Sequence, residues 1–229
     1  MEAVTPQVVF YLFGLPITDT VVSTWVLMIL LIVVAVLIRK FKPNAAEWLI
    51  EIIRSIISQV MPENENLNPY LPFLGTLAIF LLFANIFSIF PAMVSPTANL
   101  NTTFALSIVV FFAVHVFGIM KKGFWNYFKN FSNPIFIFPF EIISQVSRTL
   151  SLTLRLFGNI ISTDLIVAIV FVLIPYLVPL PFAALGMLTG VLQAYIFTIL
   201  ASLYVASAIE VEQTEEERRH LKAELQQSS

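Results

Sequence analysis

Long stretches of the chain have no charged side chain, and these stretches predict helices that cross a lipid bilayer. A transmembrane helix needs about 20 predominantly apolar residues. Proline and runs of Ser, Thr and Asn divide the longer stretches, because proline breaks helices and such runs are typical of loops. Pro91 with the polar run 95–103 divides one stretch, and Pro175, Pro179 and Pro181 divide another. The predicted spans are residues 20–38, 71–90, 103–120, 135–174 and 182–209.

Residues 44–60 follow a different pattern. Trp48, Ile52, Ile56 and Val60 lie four apart, while Glu and Arg residues fall on the other faces. This spacing predicts an amphipathic helix. The helix either lies on the membrane surface or packs on another subunit, and the pattern leaves both possibilities open.

The composition narrows the class of protein. Hydrophobic residues make up 59 % of the 229 residues and charged residues 11 %, whereas a soluble domain is about 25 % charged. A soluble enzyme is therefore excluded. The net charge of −2 provides no basic surface for nucleic acid, and the absence of cysteine excludes disulfides and thiolate sites. The sequence has no phosphate loop, nucleophile–base pair or metal-ligand cluster, so we expect no catalytic residue, cofactor or metal.

The predicted fold is an all-α polytopic membrane protein with three upright spans, one amphipathic surface helix and two long, strongly tilted membrane helices. Residues 1–209 form a single membrane domain, and residues 210–229 a polar cytoplasmic tail that is either a helical extension or disordered. The tilt follows from length, since residues 135–174 as one helix would be about 60 Å long and the hydrocarbon core is about 30 Å thick. The alternative is a break at Gly158-Asn159 that turns this segment into a hairpin.

Lysine and arginine residues predict the orientation, because they favour the cytoplasmic ends of spans. They follow the first and third spans and recur in the tail, whereas the N-terminal arm and the loops at 91–102 and 175–181 have none. We therefore expect the N-terminus outside and the tail inside, with residues 135–174 crossing once. The hairpin alternative would send the basic tail outside.

Four charged residues interrupt the segment 135–174, where each costs about 2.5–3.5 kcal/mol on insertion scales and marks a candidate functional site. Glu141, Arg148 and Arg155 are seven apart and share one helix face, while Asp164 lies about 180° from Arg155. For Arg155 we favour a functional role over a structural ion pair. For Arg148 we favour a structural role, because it lies nearer the inner interface and its charge can reach the headgroups.

Small residues run along the same helix and predict close approach by another helix. They include Ser144, Ser147, Ser151, Gly158 and Ser162, and Arg155 falls in the series.

Polar residues elsewhere have open roles. On the last helix, Gly186, Gln193 and Tyr204 lie near one face, and Gln193 either pairs with Arg155 or satisfies a backbone carbonyl. Three asparagines lie near the outer ends of spans. They either line a water-filled vestibule or act as caps or loop residues. His115 is expected to be a packing residue. The asparagines are Asn85, Asn99 and Asn101, the last being the one favoured as a cap or loop residue.

Residues 151–159, SLTLRLFGN, resemble the signature of subunit a of the F-type ATP synthase, the stator half of its proton channel. The resemblance continues through LQAYIF at 192–197 with Tyr204, PTANLNTT at 96–103 and FGLPIT at 13–18. It covers nearly all of the chain up to about residue 209.

The resemblance implies a non-catalytic proton-channel subunit with two offset aqueous half-channels, in which Arg155 faces the carboxylates of a rotor ring of c subunits. Asn159, Gln193 and Tyr204 would be polar neighbours of Arg155. Glu141 and Asp164 would line the half-channels, with Asn85 and Asn99 near the outer entrance and Arg148 in a secondary role. Gly186 departs from the pattern, because some relatives carry there a histidine that pairs with the residue at Asp164.

The resemblance also implies partners and a location. The partners are the c-subunit ring, b-type peripheral stalk subunits, the whole F1Fo complex and the bilayer, and the coupling ion is taken as H⁺. The location is an energy-coupling membrane, taken as the bacterial plasma membrane. A secondary carrier that binds an anion at Arg155 should show repeats with broken helices, and none is found. A purely structural membrane protein would not need charges at mid-membrane.

Overall fold

Long helices make up most of the computed structural model, which describes residues 8–12, 15–87, 95–125, 138–174 and 178–227. Side chains are described only as far as Ile209, and those of Leu12, Leu15, Phe138 and Glu141 lie outside the description. The helices are α1 (Asp19–Phe41), α2 (Pro43–Ser58), α3 (Leu71–Phe87), α4 (Leu100–Lys122), α5 (Phe138–Leu173) and α6 (Pro179–Gln227), with a 3₁₀ turn at Pro96–Ala98.

A short β-hairpin precedes α1, which the all-α prediction did not include. Strand β1 (Val8–Leu12) pairs antiparallel with β2 (Leu15–Thr18). The run VVFYL in β1 is rich in β-branched and aromatic residues, which favour strands. The two strands have five and four residues, which is too short to stand out from the sequence among long apolar segments.

Within the residues that the structure describes, four helices are long and apolar enough to cross a membrane, which makes the chain a multi-pass integral membrane protein. They are α1, α4, residues Ile142–Leu173 of α5 and residues Pro179–Ile209 of α6. Helix α3 is apolar but has 17 residues, and the predicted span 71–90 extends past its end into residues outside the described part.

Helix α5 is continuous over 36 residues, so the proposed break at Gly158-Asn159 does not occur. Helix α6 continues without interruption for 49 residues and reaches Gln227. Of the two alternatives for the tail, the helical extension is therefore the one present in the structure.

Helix α6 is the centre of the fold, because it packs against α2, α3, α4 and α5. The side chains of Phe197, Ala201 and Val205 are fully buried on it, and they meet α3 at Leu74 and α5 at Leu152 in one core cluster. Alanine and serine at many of its inner positions allow this close packing. By contrast α1 is mostly exposed, and its buried residues in the structure are Thr20 and Leu27.

Two glycines four residues apart bring α6 against its neighbours. A Cβ on Gly186 would overlap the Cγ2 methyl of Thr163 on α5, and one on Gly190 would lie 2.9 Å from the Cβ of Asn85 on α3. A Cβ added to Gly158 on α5 would meet no atom within 4 Å. The close helix contacts inside the chain therefore depend on glycines of α6.

Helix α2 packs its apolar side on its own chain. Ile53 and Ile57 are buried in the core cluster, and Ile53 contacts α3 at Gly75. Trp48 and Ile52 of the predicted apolar stripe remain exposed. The stripe that is buried thus lies one position further along the chain than the predicted one.

The loop between α2 and α3 is joined to the end of α4 by a buried carboxylate. Glu65 is 6 % exposed at its side chain and forms an ion pair of 3.0 Å with Lys121 of α4. The hydroxyl of Tyr70 donates to Glu65 Oε1 at 3.0 Å, and the Tyr70 ring meets Phe117 edge to face. This cluster fixes the start of α3 against the end of α4.

We expect Gly186→Ala to destabilise the fold by about 1–3 kcal/mol, because the added methyl group overlaps Thr163 and the helices must separate. The measurement is thermal unfolding of the purified chain in detergent. Gly158→Ala is the matched control, since its methyl group meets nothing and alanine favours a helix. A similar loss of stability in both variants would contradict the close contact at Gly186.

We also expect Tyr70 to ionise only at a pH above the ordinary range for tyrosine. Burial, followed by the hydrogen bond to Glu65 and the charge of Glu65, raises its pKa from 10.0 to about 12. The stabilisation by the protonated phenol is therefore complete below pH about 10 and is lost as the pH rises towards about 12. The difference in near-ultraviolet absorbance between the wild type and Tyr70→Phe measures this titration. Glu65→Gln should move it to lower pH, and an unchanged titration would contradict the coupling.

Candidate functional site

Helix α5 has one face in the core and one face that the described residues of the chain leave uncovered. Leu152, Leu156 and Ile160 are buried at spacings of four, as expected for a helix that packs along one stripe. On the other side, Leu154 is 61 % exposed, and Arg155 next to it is exposed as well. The arginine signature thus projects away from the body of the chain.

The position of Arg155 is costly unless something else covers it. The residue lies in the part of α5 that is long and apolar enough to cross a membrane. No ion pair of Arg155 is found among the described side chains. A guanidinium that faces hydrocarbon costs several kcal/mol, so this face requires a partner that the described part of the chain does not supply.

The small residues of α5 lie on this uncovered face. Ser147, Ser151 and Ser162 are exposed, and a Cβ on Gly158 would meet nothing. The helix that these residues were predicted to contact is therefore not one of the described helices of this chain. The stripe presents a smooth, narrow surface beside Arg155.

Two side-chain amides, one on α5 and one on α6, each have a buried nitrogen without a hydrogen-bond partner. Gln193 on α6 is 6 % exposed, and its Nε2 has no hydrogen-bond partner. Asn159, one turn after Arg155, has a buried Nδ2 that also lacks a partner. The structure shows neither a Gln193–Arg155 hydrogen bond nor a carbonyl acceptor for Nε2. Buried donors of this kind are usually satisfied by water or by a bound group, so each of these two nitrogens is suited to hold one.

Arg148 is placed differently from the sequence prediction. Its guanidinium carbon lies 5.2 Å from the centre of the Tyr204 phenol ring, a cation–π contact. Together they line a small cavity with Val110 and Val114, which belong to the middle turns of α4. Arg148 is therefore level with the middle of a span, not near its end. Tyr204, expected beside Arg155, lies against Arg148.

The two acidic candidates lie at different heights on α5. Asp164 is exposed and nine residues beyond Arg155, on the opposite side of the helix. The residue before it, Thr163, contacts Gly186, so a larger side chain at Gly186 has no room without movement. Glu141 lies in the first turn of α5, and its side chain is outside the described part of the chain.

A buried polar network joins the end of α3 to the loop before α4 and to Gly190 of α6. Asn85 is 2 % exposed, and its Nδ2 donates to the carbonyl of Gly190 at 2.8 Å. Thr97 donates to Asn85 Oδ1 at 3.4 Å, and Ser95 lies 2.9 Å from Thr97. The sequence analysis missed Ser95 and Thr97, although their place in a short polar loop between two spans was a usable signal.

Asn99 is the N-cap of α4, because its side chain accepts from the backbone N–H of Asn101 at 2.9 Å. Of the two roles considered for these asparagines, Asn99 thus has that of a cap. His115 contacts the Phe111 carbonyl through Nδ1 at 2.8 Å and stacks on the Phe111 ring. Its predicted role as a packing residue is confirmed.

Comparison with known proteins gives one consistent result. The family described as "ATP synthase A chain" matches residues 20–206. "ATP synthase subunit a 2" of Picosynechococcus sp. is 40 % identical over 222 residues, which are 93 % of this chain and 95 % of that protein. "ATP synthase subunit a" of Moorella thermoacetica is 37 % identical over 215 residues, 91 % of this chain and 99 % of that protein. A second "ATP synthase subunit a 2", from Bradyrhizobium sp., is 38 % identical over 211 residues, 90 % of this chain and 95 % of that protein.

Proposed function

The chain belongs to the ATP synthase A chain family, and we propose that it is the stator subunit that conducts protons to and from a rotor ring of c subunits. It carries no catalytic residue of its own and acts as one component of a larger ATP synthase. In this role it provides two offset half-channels and one arginine that faces the ring. The ring then couples proton flow to ATP synthesis.

The uncovered position of Arg155 carries this proposal. An exposed guanidinium, flanked by exposed leucine and small residues on an apolar helix, fits a partner surface that is itself apolar and presents carboxylates. A ring of helices with one carboxylate each has those properties. The small residues of α5 permit the ring helices to come close.

The charge of Arg155 accounts for proton release. A ring carboxylate that faces lipid must be neutral, because an ionised one there is very costly. When it reaches Arg155, the positive charge stabilises the ionised form and lowers the pKa of the carboxylate. The proton leaves, and the carboxylate can take up another on the far side. A guanidinium does not give up its own proton, so Arg155 separates the half-channels without conducting between them.

Polar groups on either side of Arg155 supply the two routes for protons. We assign Asp164, with Asn85 and Asn99, to the outer half-channel, and Glu141 to the inner one. The unpaired amides of Asn159 and Gln193 support hydration between α5 and α6, since buried donors without partners attract water.

The arrangement in the membrane follows from helix length and basic residues. Helix α5 is about 54 Å long, so it must tilt strongly to fit a core about 30 Å thick. The C-terminal ends of α1 and α4 carry basic residues and therefore lie inside. This puts the N-terminal hairpin outside and the end of α6 in the cytoplasm. The membrane is then the bacterial plasma membrane. The exposed faces of α1 are available to lipid and to the b-type peripheral stalk.

We expect Arg155→Lys to abolish ATP-driven proton pumping in inverted membrane vesicles. A lysine lacks the planar fork and can lose its proton, so it can neither hold the ionised carboxylate nor keep the half-channels apart. Arg39→Lys is the matched control, because Arg39 is exposed at the end of α1. Pumping by Arg155→Lys near the level of Arg39→Lys would contradict the proposal.

Cross-linking tests the ring contact directly. The chain has no cysteine, so single cysteines report one position each. Ser151→Cys and Ser162→Cys on the uncovered face should form disulfides with a cysteine placed in the outer helix of the c subunit. Thr153→Cys, which is 2 % exposed and faces the core, should not. Equal cross-linking at all three positions, or none at Ser151 and Ser162, would contradict the assigned face.

A further inference from the structure

A cavity at the middle of the helix bundle contains the second arginine of α5. It lies between α4, α5 and α6, and its lining combines Arg148 and Tyr204 with polar residues. The free space is about 10 Å³, close to what one water molecule needs. The polar lining consists of Ser107, Gln145, Arg148, Thr149 and Tyr204.

Water in this cavity could let protons leak through the subunit. Ser107 is completely buried on α4, and Phe111 beside the cavity is the midpoint of that helix. Hydroxyl and amide groups at this depth can hold water, and hydrogen-bonded water conducts protons. A path through the seam between α4, α5 and α6 would bypass the face that carries Arg155.

Arg148 places a fixed positive charge in that seam. Its guanidinium is half-buried and lies over the Tyr204 ring, which holds it on the cavity wall. No ion pair of Arg148 is found among the described side chains, so its charge is not cancelled there. Arginine in a narrow water path excludes protons and other cations by electrostatic repulsion.

We propose that Arg148, positioned by Tyr204, is an electrostatic barrier that keeps protons out of the seam between α4, α5 and α6. Protons can then pass only along the ring face. This inference rests on the proposed function, because a barrier matters only in a subunit that conducts protons. It gives Arg148 a role distinct from that of Arg155, which acts on the ring carboxylates.

The test is passive proton flux through the assembled complex in proteoliposomes under an imposed potential. A carbodiimide that caps the ring carboxylates blocks the ring route, so any remaining flux measures leakage elsewhere. Arg148→Gln should raise this resistant flux about tenfold or more, because a unit charge at close range in a low-dielectric site is a large barrier. Arg148→Lys keeps the charge and should stay sealed.

Two variants of Tyr204 test the positioning role. Tyr204→Phe keeps the ring face and should remain sealed, whereas Tyr204→Leu removes it and should leak. Ser107→Ala is the matched control, since it changes the cavity wall without changing its charge. The amount of complex recovered shows whether each variant assembles. If Arg148→Gln does not assemble, the flux through Tyr204→Leu tests the barrier in its place.

The outcomes separate the two proposals. The barrier is overturned if Arg148→Gln and Tyr204→Leu show carbodiimide-resistant flux at the wild-type level. It is also overturned if Arg148→Lys leaks as much as Arg148→Gln, or if Tyr204→Phe leaks as much as Tyr204→Leu. None of these results affects the proposed function. That function fails instead if the carbodiimide does not reduce wild-type flux, or if Arg155→Lys still pumps.

Discussion

The cost of a charge in hydrocarbon is the constraint on which the rest of this structure depends. An arginine within a span must be covered, and α5 has two of them. Arg148 is covered inside the chain by the aromatic face of Tyr204. Arg155 is left uncovered on the side of α5 that no described helix occupies. One arginine thus belongs to the fold, and the other requires an assembly.

Close packing by α6 makes this division possible. Glycine, alanine and serine on α6 bring α3, α4 and α5 to one side of it, with Gly186 and Gly190 at the tightest contacts. Because the inner stripe of α5 is used for that contact, its other face is free. The buried network around Asn85 then fixes the end of α3 against α6. Packing inside the chain therefore determines which surface is presented outside it.

The sequence predicted the helices well, because apolar length and proline breaks are local signals. It also singled out Arg155, since a charge in an apolar segment is visible without any structure. It did not predict the partner of Tyr204 or the tight contact at Gly186. Helical periodicity gives the face on which a residue lies, but it does not give the neighbour that meets this face. For the same reason, the sequence did not identify the helix that approaches the small residues of α5.

The continuity of α6 has a mechanical consequence. At 1.5 Å per residue, its 49 residues form a rod about 74 Å long, from Pro179 to the polar end at Gln227. An unbroken helix resists compression along its axis far better than two helices joined by a loop. A load applied to the membrane part of α6 is therefore carried to its polar end, where other proteins can bear it. In the stator role proposed above, this continuity would hold the membrane part in place while a partner moves against it.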